Sequence, residues 1–202
     1  MARTQAVDYE ERREAILDQA AKLYAAKGFL GASIADLADA CKMSKSLIYH
    51  YYSSKEEILF DLMHSHVQSL LETARVVSVQ NLQPRAKLQE LVQKFMRLYG
   101  GAAPRQRVLL HDLDRLPTRR RKIIVSIQRQ IVDLVEDILA DIRPTQTLPK
   151  AARRPIAMFF FGMINWTHIW LNARGSLGLD EITDLMSEIF LNGIEKAKMP
   201  GD

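Results

Sequence analysis

Cysteine is nearly absent from this sequence. Cys41 is the single cysteine in 202 residues, so no intramolecular disulfide can form and a disulfide-stabilised extracellular fold is excluded. One unpaired thiol suits a reducing cytosol. Because Cys41 continues the helical spacing of Ile34, Leu37 and Ala38, we interpret it as a small apolar side chain on the inner face of a helix.

Long hydrophobic runs are also absent. The longest apolar stretch, residues 156–164, follows Arg153 and Arg154 and stops at Asn165. It is far shorter than the roughly 20 residues of a membrane span. The N-terminal segment has no apolar core and does not read as a signal peptide. With 48% hydrophobic residues the chain still has enough apolar surface for one or two packed domains. We therefore predict a cytoplasmic globular protein with no membrane partner.

The sequence has no pattern typical of a catalytic or metal site. His64 and His66 are two residues apart and do not share a helix face, and Asp61 with His64 gives only a pair of ligands. No glycine-rich phosphate loop or nucleophile elbow is present. His168 stands among aromatic residues and reads as a buried hydrogen-bonding group. We expect no enzymatic activity, no metal and no cofactor.

Strand-like alternation is missing, whereas helical spacing recurs along the chain. Asp8 and Glu11 form a capping-box variant before the first helix, and Gly28 is placed to end it. We predict an all-α fold with two domains. A three-helix domain with a helix-turn-helix covers residues 1–53, and a helical bundle covers residues 54–202.

Residues 33–55 organise the chain. They read as two short helices joined by a tight turn, followed at once by the start of a third. Ser33 with Asp36 makes a capping-box variant for the first helix, and Ser44 is a natural N-cap for the second. The second helix then has an apolar inner face, formed by Leu47, Ile48 and Tyr51.

The outer face of the second helix is polar, with Lys45, Ser46, Tyr49 and His50 on or near it. Lysine and tyrosine reach phosphates, and lysine, serine and histidine can also hydrogen-bond base edges. An ordinary helical hairpin with a solvated face fits the same spacing equally well. The helix pattern alone therefore leaves both interpretations open.

The order of residues resembles a known family. The strings IADLADACKM and MSKSLIYHYYSSKEEIL are similar to the helix-turn-helix of the TetR/AcrR transcriptional regulators, over about residues 14–62. The resemblance implies a dimeric repressor that binds a palindromic operator and releases it when a small molecule binds elsewhere. It departs at Lys42, where the family usually has glycine. A left-handed backbone would cost a non-glycine residue roughly 1–2 kcal/mol there. The sequence leaves open whether the turn adjusts, tolerates the strain or uses Lys42 on a phosphate.

The resemblance places the Ser44–Tyr51 helix in the major groove. Base contacts would come from this helix, including a contact of Leu47 with a thymine methyl. Lys55, at a helix N-terminus that already attracts anions, would hold a phosphate. The predicted DNA-binding residues are Ser33, Ser44, Lys45, Ser46, Leu47, Tyr49, His50 and Lys55.

The helix starting at Pro155 is apolar on most sides and must be buried on most sides. Packing against a second copy achieves this, and family dimers form a four-helix bundle from their last two long helices. The alternative is an internal core helix of a monomer. The predicted dimer-interface residues are Phe160, Trp170, Met186, Ile189 and Phe190.

The same aromatic and methionine side chains could line an effector pocket, although such stripes are more often plain core. Methionine adapts to varied apolar shapes, and ligand pockets are mostly apolar with a few polar groups. The predicted apolar pocket residues are Phe95, Met96, Tyr99, Leu110, Phe159, Met163 and Trp166.

Positive charge is concentrated outside the helix-turn-helix. Residues 84–130 contain 12 basic and 3 acidic residues, whereas residues 1–55 contain 8 and 7. Arg119 and Arg120 lie in the first turn of a helix and are predicted to bind phosphates of the effector. A solvated basic face is the alternative.

An anionic effector with an apolar part is thus expected, and a coenzyme A thioester has both features. The string GMINWTHIWLNARGSLGLDEITDLM resembles the TetR-family branch that senses acyl-CoA and aryl-CoA esters, but departs from it at Asn172–Arg174. Two other functions remain in competition: a drug-efflux regulator that senses a lipophile, and a helical binding protein that does not bind DNA.

Overall fold

The computed structural model describes residues 2–143, 148–171 and 175–198, with side chains from Tyr9 onward. All regular elements in these ranges are helical, which confirms the all-α prediction. The Asp8 side chain and the Asn172–Arg174 segment lie outside this description. The helices are α1 (Ala2–Gly31), α2 (Ile34–Cys41), α3 (Lys45–Tyr51), α4 (Lys55–Ser78), α5 (Pro84–Gly101), α6 (Ala103–Asp112), α7 (Thr118–Ala140), α8 (Lys150–Asn165), α9 (Thr167–Trp170) and α10 (Leu179–Lys196), with a 3₁₀ turn at Leu113–Arg115.

The chain forms two compact units. The first contains Met1–Val67 and Ala102–Val125, and the second contains Gln68–Gly101 and Ser126–Asp202. Helices α4 and α7 therefore contribute to both units. The predicted domain boundary after residue 53 does not coincide with this division of the chain. That boundary stays a prediction. Among the described residues, no helix is both long and apolar enough to cross a membrane.

The first unit is built around α1, which packs against α2 and α6. Its buried residues Ile16, Ala20 and Tyr24 are four apart and therefore lie on one helix face. Gly28 has φ 73° and ψ 156°, a conformation that essentially only glycine adopts. It interrupts the regular helix at the residue where the sequence predicted the helix to end, although α1 continues to Gly31.

Arg105 joins α6 to α1 and α4. Its guanidinium donates to Asp18 at 2.7 Å, to Glu14, and to the Ser65 hydroxyl at 3.2 Å. Next to it, the buried His66 ring shares a 2.7 Å hydrogen bond with Gln106, and burial lowers the pKa of His66. These polar contacts cross between three helices, so α6 belongs to the first unit despite its distance in sequence.

The core of the second unit contains a cluster of aromatic rings. Helix α5 packs against α10, and the Phe95 ring lies 6.4 Å from that of Phe161. Phe160 contacts Phe161 and Phe190, with ring centroids 5.2 and 5.5 Å apart. The Tyr99 hydroxyl donates to Asn165 Oδ1 at 2.9 Å. A partly buried polar pair therefore lies beside the aromatic cluster, where the Tyr99 ring stacks on that of Phe95.

Lys42 has a left-handed backbone, with φ 55° and ψ 40°. Its N–H donates to the Asp39 carbonyl, and the N–H of Met43 donates to the Ala38 carbonyl at 2.9 Å. These bonds satisfy carbonyls at the end of α2 in the manner of a glycine-terminated helix. The turn keeps the conformation that favours glycine, and Lys42 tolerates the strain.

We predict that Lys42→Gly raises the free energy of unfolding by about 0.5–1 kcal/mol. Glycine removes a left-handed strain of about 1–2 kcal/mol. Its greater flexibility in the unfolded chain lowers the free energy of unfolding by about 0.5–1 kcal/mol. Denaturant unfolding followed by circular dichroism measures the change. Lys42→Ala is the matched control, since it also removes the charge but keeps the strain. Equal stability of the two variants would contradict the prediction.

Candidate nucleic-acid interface

Helix α2 begins with a complete capping box. The Ser33 hydroxyl accepts from the N–H of Asp36 at 3.1 Å, and the N–H of Ser33 donates to the Asp36 carboxylate at 2.8 Å. Lys27 of α1 donates to the other oxygen of this carboxylate at 2.7 Å. The bond from Lys27, followed by those from Ser33, holds the pKa of Asp36 well below its usual range. The first turn of α2 is thereby attached to α1.

Helix α3 is held at its start by Ser44, whose hydroxyl accepts from the N–H of Leu47 at 3.1 Å. The Ser44 and Ser46 hydroxyls are 2.9 Å apart. Ile48 is fully buried and anchors the middle of the helix. Only one residue of this seven-residue helix is buried, so most of its side chains remain available to another molecule.

A polar network holds the end of α3. The Tyr52 hydroxyl donates to Asp61 at 2.8 Å, and Arg13 donates to the same carboxylate at 2.5 Å. The Arg13 guanidinium also lies 5.4 Å from the centre of the Tyr52 ring. Burial, together with the nearby Asp61 charge, raises the pKa of Tyr52 above its usual range. The network joins α1, the C-cap of α3 and α4.

The exposed side of α3 contains the residues that the sequence predicted for DNA. Lys45, Ser46, Tyr49 and His50 are exposed, and Leu47 is partly exposed. These side chains supply cationic, hydroxyl and imidazole groups on one short helix. Such a surface can hydrogen-bond both phosphates and base edges.

Tyr9 is a neighbour of this surface that the sequence analysis did not identify. Its ring lies 4.8 Å from the Tyr51 ring and 6.5 Å from the His50 ring. His50 and Tyr51 are themselves 5.3 Å apart, edge to face. The His50 ring is therefore flanked by two tyrosines. No local signal could identify Tyr9, because it is about 40 residues away along the chain.

Lys55 begins α4 and lies against aromatic rings. Its ammonium is 4.2 Å from the centre of the Phe29 ring and 6.0 Å from that of Tyr24. Burial lowers the pKa of Lys55, while nearby carboxylates, including that of Asp112, oppose the shift. Phe29 is a second contributor that sequence analysis missed in this role, since only tertiary packing brings it beneath Lys55.

The residues predicted for an effector belong to both units. Phe95, Met96 and Tyr99 are buried in the second unit. Leu110, Arg119 and Arg120 belong to the first unit. Phe159 and Trp166 are 70% and 62% exposed, and Met163 is partly exposed.

Arg120 lies over the Phe60 ring at 5.4 Å, while Arg119 is exposed. The role of both arginines toward an effector stays a prediction. A groove of about 570 Å³ in the second unit has a different lining, on α4 and α5. Its residues are Gln68, Ser69, Glu72, Thr73, Val76 and Lys94.

The last helices expose several large apolar side chains. Two of the predicted interface residues, Trp170 and Ile189, are 50% and 60% exposed, and Phe190 is partly exposed. The prediction needs correction at Phe160, which is 0% exposed and is a core residue of its own chain, and Met186 is buried as well. The other exposed apolar residues on these helices are Met158, Phe159, Trp166, Ile169 and Leu185.

Two family models match the chain. The model described as "Bacterial regulatory proteins, tetR family" matches residues 16–62, and the model described as "Tetracyclin repressor-like, C-terminal domain" matches residues 81–194. The second match alone covers more than half of the sequence. All eight residues predicted to contact DNA lie within the first match.

Solved structures and curated proteins that are similar to this chain include transcriptional regulators. A TetR-family transcriptional regulator from Bordetella parapertussis 12822 is 36% identical, with a TM-score of 0.84 and coverage of 93% of this chain and 98% of that one. AibR in complex with isovaleryl coenzyme A and operator DNA is 26% identical, with a TM-score of 0.79 and coverage of 88% and 97%. The repressor KstR2 of Mycobacterium tuberculosis is 29% identical over 192 residues, covering 92% and 94%.

We predict that Asp36→Asn destabilises the protein at pH 7 and that the effect decreases on acidification. The folded-state pKa of Asp36 lies below that of the unfolded chain, so its charged form stabilises the fold above about pH 4. This contribution is lost as the pH falls through the folded-state value. Denaturant unfolding at several pH values measures the difference from wild type. Asp39→Asn, on the same helix, is the matched control, and a difference that persists undiminished at pH 2–3 would contradict the prediction.

Proposed function

The chain belongs to the TetR family of transcriptional regulators, and on that premise we propose that it is a dimeric repressor of a palindromic operator, released by a small-molecule effector. The observation that carries the operator-binding part is the form of α3. This short helix is capped at Ser44, anchored by the buried Ile48 and polar on its exposed side. Its dimensions suit a DNA major groove.

In the proposed complex, the two copies of α3 enter successive major grooves about 34–36 Å apart or somewhat more. Lys45, Ser46, Leu47 and His50 approach the bases, while other groups hold the backbone. Phosphates are bound by Ser33, Tyr49 and Lys55. The Phe29 ring beneath the Lys55 ammonium restricts its motion, so less side-chain entropy is lost on binding.

Dimerisation through the last helices is the second part of the proposal. Exposed tryptophan and isoleucine side chains, such as Trp170 and Ile189, are unfavourable in water and characteristic of surfaces that bind a partner. A second copy offers the same surface and allows a two-fold symmetric interface. The two DNA-binding units would then match the symmetry of a palindrome.

We predict that Ile189→Asp converts the dimer into a monomer and weakens operator binding at least tenfold. The new carboxylate would be desolvated in an apolar interface, and loss of the second half-site contact removes the gain from bivalent binding. Analytical ultracentrifugation and fluorescence anisotropy give the two readouts. Val79→Asp is the control, since Val79 is 84% exposed and lies outside the last helices. A variant at residue 189 that remains dimeric would refute the proposed interface.

For the effector we propose an acyl- or aryl-coenzyme A thioester. AibR, which is similar over most of this chain, binds isovaleryl coenzyme A and operator DNA. The apolar part of such an ester would enter among Phe95, Met96 and Tyr99, where methionine can adapt its shape and the Tyr99–Asn165 hydrogen bond supplies a polar group. By linkage, the effector weakens DNA binding only as far as it prefers the arrangement that does not fit the operator.

The test is fluorescence anisotropy on the DNA directly upstream of the gene, with acyl- and aryl-CoA esters, the free acids, and uncharged or cationic lipophiles. We expect a CoA ester to raise the apparent Kd of the operator by roughly 5–150-fold, the usual range of allosteric coupling, and the free acid to have little effect. Release only by a lipophile would favour the drug-efflux alternative. A failure to distinguish operator from random DNA would contradict the repressor proposal.

A further inference from the structure

We propose that exposed basic side chains just before and at the start of α7 make a second contact with the DNA backbone, beside the contact made by the helix-turn-helix. We define the α7 basic patch as Arg115, Arg119 and Lys122. The proposal extends the proposed operator binding and rests on it. It also assigns a DNA role to Arg119, which the sequence analysis assigned to effector phosphates.

The patch lies in the same compact unit as α1–α3. Arg120, between two patch residues, packs on the Phe60 ring of α4 with 5.4 Å between the guanidinium carbon and the ring centre. Phe60 is five residues after Lys55, which is about 7.5 Å along a helix. The start of α7 therefore contacts the N-terminal part of α4. This helix begins at Lys55, which is proposed to bind a phosphate.

Electrostatic interactions agree with this location. The carboxylate of Asp112, at the end of α6, is close enough to Lys55 to raise the pKa of its ammonium, against the larger lowering effect of burial. Arg120 likewise helps to lower the pKa of Glu57 in the first turn of α4, after the dominant hydrogen bonds from Ser53. Asp112 and Arg120 thus lie near the first two turns of α4, where the proposed DNA contact Lys55 is found.

The patch residues are available for a ligand. Arg115, Arg119 and Lys122 are exposed and have no ion-pair partner among the described residues. Their neighbours are already engaged, since Arg121 pairs with Asp114 at 3.1 Å and Arg120 covers Phe60. Residues 112–122 contain five basic and two acidic residues, so the segment keeps a positive surplus after the internal pair is formed.

Charge balance explains why DNA is the partner that this surface fits. Affinity for a duplex depends on the number of phosphates neutralised by lysine and arginine. The helix-turn-helix segment, residues 1–55, has 8 basic and 7 acidic residues and offers almost no surplus of its own. The α7 basic patch supplies that surplus within the same unit. A duplex beside Lys55 would present further phosphates to it.

The experiment compares salt dependence. Anisotropy titrations across a salt series are run on the upstream operator and on a random duplex, for wild type and for Arg119→Gln/Lys122→Gln. Each phosphate contact contributes about 0.9 to the slope of log K against log salt. A dimer that loses four contacts should show a slope flatter by about 3–4 units and at least tenfold weaker binding at low salt, on both duplexes.

Arg129→Gln/Lys150→Gln is the matched control, because it removes the same charge from exposed residues of the second unit. An unchanged slope in the patch variant, or an equal change in the control, would overturn the proposal. If the patch variant loses CoA-ester binding but keeps the wild-type salt slope, the proposal is also overturned, and Arg119 is assigned to the effector phosphates instead. Wild type that binds both duplexes equally refutes the repressor proposal alone, and wild type that binds neither refutes both.

Discussion

The candidate interface depends most on two hydrogen bonds. The Asp61 carboxylate accepts them from Arg13 and Tyr52. Helix α3 has seven residues, and helices this short are not stable in water without tertiary support. Its start is held by the Ser44 cap, its middle by Ile48 and its end by this network. Because these groups hold the helix at both ends and at its buried middle, its exposed side can be polar without loss of structure.

The same unit also includes a helix that is remote in sequence. Arg105 and Gln106 of α6 contact α1 and α4 through Asp18, Ser65 and His66. These are hydrogen-bonded polar groups that are costly to leave unpaired when buried. A shift of α6 would therefore displace groups on α1 and α4, the helices that support α3. Coupling to an effector nevertheless requires two arrangements that the ligand and the operator prefer differently.

The distribution of charge gives the protein its second constraint. A helix-turn-helix with nearly balanced charge can position side chains on bases but gains little from counterion release. The basic residues near the start of α7 are adjacent to α4 through the Arg120–Phe60 contact. The apolar surface on the last helices is in the other unit, where Trp170 and Ile189 are exposed. Specific contacts, electrostatic attraction and self-association would thus depend on different surfaces.

Local features were determined by the sequence alone, because they depend on residues a few positions apart. The Ser33–Asp36 box, the Ser44 cap and the exposed side of α3 all follow from spacings of three or four residues. The sequence left the backbone at Lys42 open, and the structure decided it as left-handed. Features that join distant residues were decided only by tertiary packing. Helical spacing could not distinguish the buried Phe160 from the exposed Phe159 on a helix that is apolar on most sides. It also could not place Phe29 beneath Lys55, Tyr9 beside His50, or Arg120 on Phe60, since each pair is brought together by the fold.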